Sequence, residues 1–164
     1  MAGMMPPSFA YTLCFLTRTD QVLLLHRRRP PNQDRWNGVG GKLHAGETPL
    51  AACLREVEEE TGYRLPTARF AGTLTWTGFE IADGGLYLFT AEAPAGDPHF
   101  TPEGELRWWP QAEAVRHPDV VSNLHLVLPA VLRHAPPQVY HMVYDAARAL
   151  AGHAITPWPA EAHP

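Results

Sequence analysis

The segment from Gly40 to Tyr63 (GGKLHAGETPLAACLREVEEETGY) constrains the fold more than any other part of the chain, because it carries signals for both ends of a helix. Thr48 is a good N-cap residue, and Pro49 suits the first helical position, where no N–H is needed. Gly62 suits the position just after a helix, where φ is usually positive. The segment therefore predicts a helix over residues 49–61 that follows a glycine-rich stretch.

Two faces of this helix differ in composition. At about 100° per residue, one narrow arc holds four residues that we expect to face a sheet: Leu50, Leu54, Val57 and Thr61. A second arc holds Glu56, Glu59 and Glu60, whose i, i+3, i+4 spacing makes their side chains neighbours. Such carboxylates repel one another, and a divalent cation such as Mg²⁺ or Mn²⁺ would remove the repulsion. A solvated acidic face is the alternative interpretation.

Short apolar segments and turns make up the rest of the chain, which contains 17 prolines. Six segments have a composition typical of strands: residues 9–17, 21–26, 69–77, 85–91, 105–109 and 138–144. The first two are separated by a short polar turn and predict a hairpin. A second helix is predicted over Val121–His134, kinked or split at Pro129, after a short helical turn over residues 110–115. These elements predict an α+β fold in which helices flank a mostly antiparallel or mixed sheet.

Length, charge and cysteine content exclude several classes of protein. A chain of 164 residues predicts one domain over residues 1–155, followed by a proline-rich C-terminal tail over residues 156–164. The net charge of −4 disfavours general nucleic-acid binding. No apolar run is long enough to cross a membrane and the N-terminal residues lack a signal-peptide pattern, so we expect no membrane partner and a cytoplasmic location. Cys14 and Cys53 predict neither a disulfide framework nor a zinc site.

The helix segment and the glycines before it match the Nudix signature. That signature reads Gly, five residues, Glu, seven residues, Arg-Glu, an aliphatic residue, any residue, Glu-Glu, any residue, Gly and an aliphatic residue. The matching residues are Gly41, Glu47, Arg55, Glu56, Val57, Glu59, Glu60 and Gly62. The one departure is Tyr63 at the final aliphatic position, which packs rather than reacts. The chain thus resembles the Nudix hydrolases, or MutT-like phosphohydrolases, which implies a Nudix fold: an α/β/α sandwich with a central mixed sheet.

The resemblance implies a Mg²⁺ site, in which Mn²⁺ is a possible substitute. Four groups of the signature would bind the ion: the backbone carbonyl of Gly41 and the carboxylates of Glu56, Glu59 and Glu60. Family members often add a Glu from a later strand or loop. Glu105 is the first candidate for that role because it directly precedes a predicted strand, and Glu103 is the second.

Catalytic roles also follow from the resemblance. Nudix enzymes break a P–O–P bridge by attack of water on phosphorus, and one of these glutamates, with Glu59 as the first candidate, would orient or deprotonate that water. Arg55 would hold the glutamates by ion pairing, with Glu47 as a structural partner of Arg55 or of a neighbouring loop. We therefore predict Glu59, Glu56 and Arg55 as the catalytic residues.

The stretch from Arg35 to Lys42 (RWNGVGGK) resembles the subgroup that hydrolyses oxidised purine nucleoside triphosphates such as 8-oxo-dGTP. By that resemblance Asn37 would read the purine edge, since a side-chain amide offers both a donor and an acceptor. Asp119, in the segment His-Pro-Asp, would be a second base reader. The basic residues Arg27 and Lys42 complete the predicted substrate contacts.

Together these features predict a Mg²⁺-dependent pyrophosphohydrolase. It would convert a nucleoside triphosphate, such as 8-oxo-dGTP or a related purine triphosphate, to the monophosphate and pyrophosphate. Two alternatives stay open: a Nudix hydrolase of ADP-ribose or a dinucleoside polyphosphate, and a non-catalytic binding module of the same fold. The complete set of Arg55, Glu56, Glu59 and Glu60 argues against the second, because non-catalytic members typically lose one of these residues.

Overall fold

The computed structural model describes residues 8–159 and 162–164. Residues 1–7, with which the predicted domain begins, and residues 160 and 161 of the predicted tail lie outside the described residues. The described chain forms these elements in order: β1 Tyr11–Arg18, β2 Gln21–Arg27, β3 Trp36–Asn37, α1 Pro49–Thr61, β4 Arg69–Thr77, β5 Gly84–Glu92, β6 Gly104–Pro110, α2 Gln111–Ala114, α3 Leu124–Leu132, β7 Gln138–Tyr144 and β8 Leu150–Pro157.

One mixed sheet contains all of these strands. Its order is β3-β2-β1-β5-β4-β7-β8, and β6 pairs with β2 in addition. The pairs β1–β5 and β4–β7 are parallel, whereas the other pairs, including the predicted hairpin β1–β2, are antiparallel. The predicted sheet flanked by helices is therefore confirmed.

The helices α1 and α3 cover opposite faces of the sheet, because strand residues alternate between the two faces. On one face Cys14 and Leu16 of β1 pack in the same cluster as Cys53 and Val57 of α1. On the other face the cluster includes Leu13 and Phe15 of β1 and, from α3, Leu124, Val127, Leu128 and Val131. This arrangement is the α/β/α sandwich that the family resemblance implies.

Helix α1 has the predicted bounds, but its buried face differs from the prediction. Thr48 Oγ1 accepts a hydrogen bond from the Ala51 N–H at 3.1 Å, and Gly62 adopts φ 78° at the C-terminal end, as the capping signals predict. The expectation that Leu50 faces the sheet is wrong, since 37% of its surface is exposed. The buried residues are Ala52, Cys53, Val57, Glu60 and Thr61. The helix is rotated so that one of the three clustered carboxylates, Glu60, enters the interior.

Other elements depart from the predictions near the C-terminus. Helix α3 begins three residues later than predicted and runs through Pro129 without a break. Strand β8, which the sequence pattern does not predict, ends at Pro157, and Trp158 packs against Phe70 with ring centroids 5.0 Å apart. The segment predicted as a tail therefore begins inside the last strand. Among the described residues, none of the helices has both the length and the apolar content that a membrane crossing requires.

The segment after β3 crosses from β2 to β1 and positions the site. The Cys14 N–H donates to the Val39 carbonyl at 2.6 Å, and the Thr12 N–H donates to the Gly41 carbonyl at 2.9 Å. Glycine is required at position 40, because a Cβ there would overlap the backbone carbonyl of Thr12. The crossing therefore places this glycine-rich segment directly beside the carboxylates of α1.

Candidate active site

A cavity of about 350 Å³ opens where the glycine-rich segment crosses to β1. This volume lies within the range of small-molecule sites. Its apolar wall comes from three strands and the loop after β4, through Tyr11, Leu13, Leu74, Trp76, Phe79, Ile81 and Leu86. Its polar wall includes Arg27, Asn37, Lys42, Glu56, Glu60, Glu103 and Asn123. One cavity thus joins an apolar compartment to an acidic end.

Glu60 is the most buried carboxylate of the acidic end. Burial raises the pKa of Glu60 to about 8, and the nearby carboxylates of Glu56 and Glu103 add to the effect. The Gly40 N–H donates to Glu60 Oε2 at 3.0 Å, which favours the charged form. A buried carboxylate with two acidic neighbours fits a divalent cation, because oxygen ligands and negative charge are what Mg²⁺ requires. Among the described residues, no three acidic, histidine or cysteine side chains are arranged so that together they could hold a metal ion.

Arg55 links the carboxylates of the Nudix signature. Its Nε and Nη2 donate to the two oxygens of Glu47 at 2.8 and 2.9 Å. Its Nη1 donates to Glu56 Oε1 at 2.9 Å and to Glu59 Oε2 at 3.2 Å. Hydrogen bonds from Arg55 and from the His44 N–H lower the pKa of Glu47 to about 2. The predicted ion pairing of Arg55, including its partner Glu47, is thus present.

The backbone of the crossing segment presents its polar groups alternately to β1 and to α1. The carbonyls of Val39 and Gly41 accept hydrogen bonds from β1. In the alternate positions, the Gly40 N–H donates to Glu60 and the Lys42 carbonyl accepts from Arg55 Nη2 at 3.0 Å. The Gly41 carbonyl, predicted as a metal ligand, is therefore engaged by β1. Because the N–H and carbonyl of one residue in an extended segment point to the same side, we expect the Gly40 carbonyl to face α1 as its N–H does.

Two predicted glutamates lie outside the cavity lining. Glu105 is 58% exposed and its carboxylate is 3.5 Å from Arg107 Nη2, whereas Glu103 lines the cavity beside Glu60. Glu59 is 56% exposed and is held by Arg55 at the solvent side of α1. The structure thus places Glu103, the second candidate, at the acidic end in place of Glu105.

The predicted substrate residues fall into two groups. Arg27, Asn37 and Lys42 line the cavity. Asp119 is exposed and does not line it; only its backbone carbonyl approaches the site, where it accepts from the Trp36 N–H at 2.9 Å. The His-Pro-Asp segment therefore supports β3 by backbone pairing, and its carboxylate is not brought to the cavity.

Asn123 and Tyr144 are among the polar residues of the cavity that were not predicted from the sequence. Asn123, the N-cap residue of α3, is 8% exposed, and its Nδ2 donates to the hydroxyl of Tyr144 at 3.0 Å. Both residues line the cavity. The only available signal was the presence of polar residues in the largely apolar run VVSNLHLVL, most of which falls inside a segment predicted as helix.

Known proteins resemble the chain in sequence and fold. It is 32% identical over 108 residues to the oxidized purine nucleoside triphosphate hydrolase of Mus musculus, covering 64% of this chain and 68% of the relative. It is 34% identical over 109 residues to the 8-oxo-(d)GTP phosphatase of Mycolicibacterium smegmatis, covering 62% of this chain and 31% of that protein. The crystal structure of the MutT protein from Bacillus halodurans matches with a TM-score of 0.78 at 27% identity, covering 91% of this chain and 98% of that chain.

The family follows from both the signature and the match along the chain. Residues 8–130 match the NUDIX domain, a range that covers strands β1 to β6, the signature helix and all of the cavity lining except Tyr144. The cavity brings two of the four signature carboxylates, Glu56 and Glu60, together with basic and amide side chains. The chain therefore belongs to the Nudix family of hydrolases.

Proposed function

We propose that this Nudix hydrolase is a Mg²⁺-dependent pyrophosphohydrolase of nucleoside triphosphates that prefers oxidised purines such as 8-oxo-dGTP. The observation that carries the proposal is the single cavity that joins an apolar compartment, with the amides of Asn37 and Asn123, to an acidic end with the basic residues Arg27 and Lys42. A purine suits the first part, and a polyphosphate with its cation suits the second. The relatives named for hydrolysis of oxidised purine nucleotides support the same substrate class.

The cation site in this proposal uses ligands from three parts of the fold. Glu56 and Glu60 come from α1, Glu103 comes from the residue before β6, and the Gly40 carbonyl takes the backbone position. We assign the backbone role to Gly40 because the Gly41 carbonyl pairs with Thr12. Bound Mg²⁺ would neutralise the charge of the polyphosphate and favour attack by water.

The remaining site residues bind the phosphates and move a proton. Arg27 and Lys42 line the acidic end, where they would contact phosphate oxygens. The water oxygen forms a bond to phosphorus, and the bridging P–O bond between the α and β phosphates breaks. Glu59 accepts the proton of that water in this proposal, since its carboxylate is the solvent-exposed member of the Arg55 network. The products are a nucleoside monophosphate and pyrophosphate.

Base recognition falls to the apolar compartment. Trp76 and Leu74 offer apolar surface to a purine ring, and Asn37 and Asn123 offer amides to its polar edge. Asn123 takes the role that the sequence suggested for Asp119, whose carboxylate lies outside the cavity.

A panel of nucleotides tests the proposal. The panel contains 8-oxo-dGTP, dGTP, the other nucleoside triphosphates, ADP-ribose and a diadenosine polyphosphate, each with Mg²⁺ and with EDTA, and products are resolved by chromatography. We expect metal-dependent release of 8-oxo-dGMP and pyrophosphate from 8-oxo-dGTP. We also expect a higher kcat/KM for 8-oxo-dGTP than for dGTP. Turnover of only ADP-ribose or the dinucleotide would overturn the assigned substrate.

A matched pair of variants tests the role of Glu59. We expect Glu59→Gln to lower kcat by at least roughly a hundredfold, in line with general-base catalysis. The control is Glu58→Gln, which changes the adjacent residue, an exposed carboxylate paired with Arg64 at 2.8 Å. Equal turnover of the two variants would remove Glu59 from the mechanism.

A further inference from the structure

The side-chain amides of Asn37 and Asn123 are held in opposite orientations. Asn37 Oδ1 accepts a hydrogen bond from the Gly38 N–H at 2.8 Å, so its Nδ2 is left for another partner. Asn123 Nδ2 donates to the Tyr144 hydroxyl at 3.0 Å, so its Oδ1 is left for another partner. Asn37 Nδ2 and Asn123 Oδ1 make no hydrogen bond within residues 8–159 and 162–164. Neither atom is among the fully buried polar atoms, so both are accessible. Each is therefore open to the cavity that both residues line.

The fold brings these two amides to the same compartment. The Val121 N–H donates to the Trp36 carbonyl at 2.9 Å, so the segment that leads into α3 runs beside β3. Asn37 follows Trp36 directly, and Asn123 is two residues after Val121. On this side the cavity thus presents a hydrogen-bond donor from Asn37 beside an acceptor from Asn123.

The pairing of a donor with an acceptor distinguishes guanine from its form oxidised at C8. Guanine has two acceptors on its Hoogsteen edge, O6 and N7. Oxidation at C8 places a hydrogen on N7, so the same edge presents the O6 acceptor beside an N–H donor. A donor from Asn37 and an acceptor from Asn123 match the oxidised edge, whereas the N7 lone pair of guanine faces the Asn123 oxygen and is disfavoured.

The geometry points to Tyr144 as the positioning residue that sets this discrimination: its hydroxyl holds Nδ2 of Asn123, so that Oδ1 faces the cavity and selects purines with an N–H at position 7. This inference rests on the proposed function, because it names how the same site separates oxidised from ordinary purines. Tyr144 is only 8% exposed and its ring packs on Phe79 with centroids 4.8 Å apart. Its hydroxyl therefore has a fixed position from which to hold the amide.

Binding of nucleoside monophosphates to the full chain tests the inference without relying on hydrolysis. The probes are 8-oxo-dGMP, dGMP and 7-deaza-dGMP, in which a C–H replaces N7, and calorimetry gives the dissociation constants. For the wild type we expect the order 8-oxo-dGMP, then 7-deaza-dGMP, then dGMP from tightest to weakest. If dGMP bound more tightly than 7-deaza-dGMP or 8-oxo-dGMP, or if all three bound equally, the inference would be overturned regardless of the results with the variants.

Tyr144→Phe removes the hydroxyl and keeps the ring. We expect it to lower the preference for 8-oxo-dGMP over dGMP by roughly tenfold, the size of one hydrogen bond. The control is Tyr140→Phe, which removes a hydroxyl from a buried tyrosine on the same strand that does not line the cavity. A general loss of structure would weaken all three probes alike, so an unchanged ratio in Tyr144→Phe would overturn the role of Tyr144.

Turnover measured in parallel separates this inference from the proposed function. If the wild type hydrolyses 8-oxo-dGTP with Mg²⁺ but the binding order does not depend on position 7, the function stands and the inference fails. If the wild type binds the probes in the expected order but hydrolyses no triphosphate, the discrimination stands and the proposed activity fails.

Discussion

Arg55 and Glu47 form an ion pair with two contact points, from Nε to Oε2 at 2.8 Å and from Nη2 to Oε1 at 2.9 Å. Such a paired contact fixes the plane of the guanidinium as well as its position. The remaining nitrogen of Arg55 donates to Glu56 and Glu59. Glu47 therefore orients two carboxylates of the site through Arg55, although it does not itself line the cavity.

The first prediction concerns Glu47→Gln and the dependence of stability on pH. The folded-state pKa of Glu47 is about 2, below its ordinary value of 4.5, so its ion pair stabilises the folded protein above pH 4.5. That contribution is lost as the pH falls from 4.5 towards 2. We expect the variant to unfold at lower denaturant concentration than the wild type at neutral pH, and the difference to shrink in acid.

Denaturant titrations of both proteins over this pH range provide the measurement. Glu58→Gln serves as the control, because the Glu58–Arg64 pair is exposed and is not part of the Arg55 network. A difference between wild type and Glu47→Gln that is constant with pH would show that the charge of Glu47 does not stabilise the fold.

A second prediction separates two adjacent glycines. A Cβ on Gly41 would come within 2.5 Å of the Glu56 carboxyl group, which is the movable end of a side chain. We expect Gly41→Ala to fold normally and to lose at least tenfold in activity, roughly the effect of a misplaced metal-site group. A Cβ on Gly40 would instead overlap the Thr12 backbone, so Gly40→Ala should lower the free energy of unfolding by about 1–3 kcal/mol.

Thermal unfolding and metal-dependent turnover of both variants check this contrast. Two variants that lose stability equally would mean that Glu56 cannot move away from position 41. Full activity in Gly41→Ala would mean that the position of Glu56 is not important for the reaction.

The third prediction compares two glutamates that are two residues apart. Glu103 lines the cavity beside Glu60, whereas Glu105 is exposed next to Arg107. We expect Glu103→Gln to raise the Mg²⁺ concentration needed for half-maximal activity by roughly tenfold or more. Glu105→Gln should retain the wild-type Mg²⁺ dependence. The reverse result would restore Glu105 as the additional ligand.

The fourth prediction tests base recognition at Asn37 and Asp119. Asn37→Ala removes an amide donor that lines the cavity, and we expect it to lower roughly tenfold the ratio of kcat/KM between 8-oxo-dGTP, which has an acceptor at position 6, and 8-oxo-dATP, which has an amino group there. Asp119→Ala removes only an exposed carboxylate, because the contact of Asp119 with β3 uses the backbone. This variant should keep the wild-type ratio. A larger change in Asp119→Ala than in Asn37→Ala would contradict this assignment of the base site.

The parts of the fold that depend on local signals could be predicted from the sequence. Thr48 and Gly62 mark the two ends of α1, and the helix has the predicted bounds. Strands β4 and β7 likewise begin and end at the predicted residues. Strand β8 lacks such a signal, since its residues Leu150–Pro157 include small residues and are largely exposed. It is a strand because β7 provides a pairing partner, which a local pattern does not contain.

The site could be predicted only where the signature specifies it. The periodicity of α1 identifies Glu56, Glu59 and Glu60 as neighbours, but burial of Glu60 depends on how the helix is rotated on the sheet. That rotation is set by packing of Cys53 and Val57 against β1, which is a long-range contact. For the same reason the sequence could not distinguish Glu103 from Glu105, or bring Asn123 to a cavity formed by distant strands.

The crossing of the glycine-rich segment from β2 to β1 has a consequence for how enzymes of this shape can diversify. The apolar compartment is built largely from β1, β4, β5 and the loop after β4, whereas the acidic end is built from α1, the crossing segment, Arg27 and Glu103. Substitutions in the first set can alter which base is accepted while the second set stays intact. A sheet crossed by such a segment therefore allows substrate choice and bond cleavage to change independently during evolution or protein engineering.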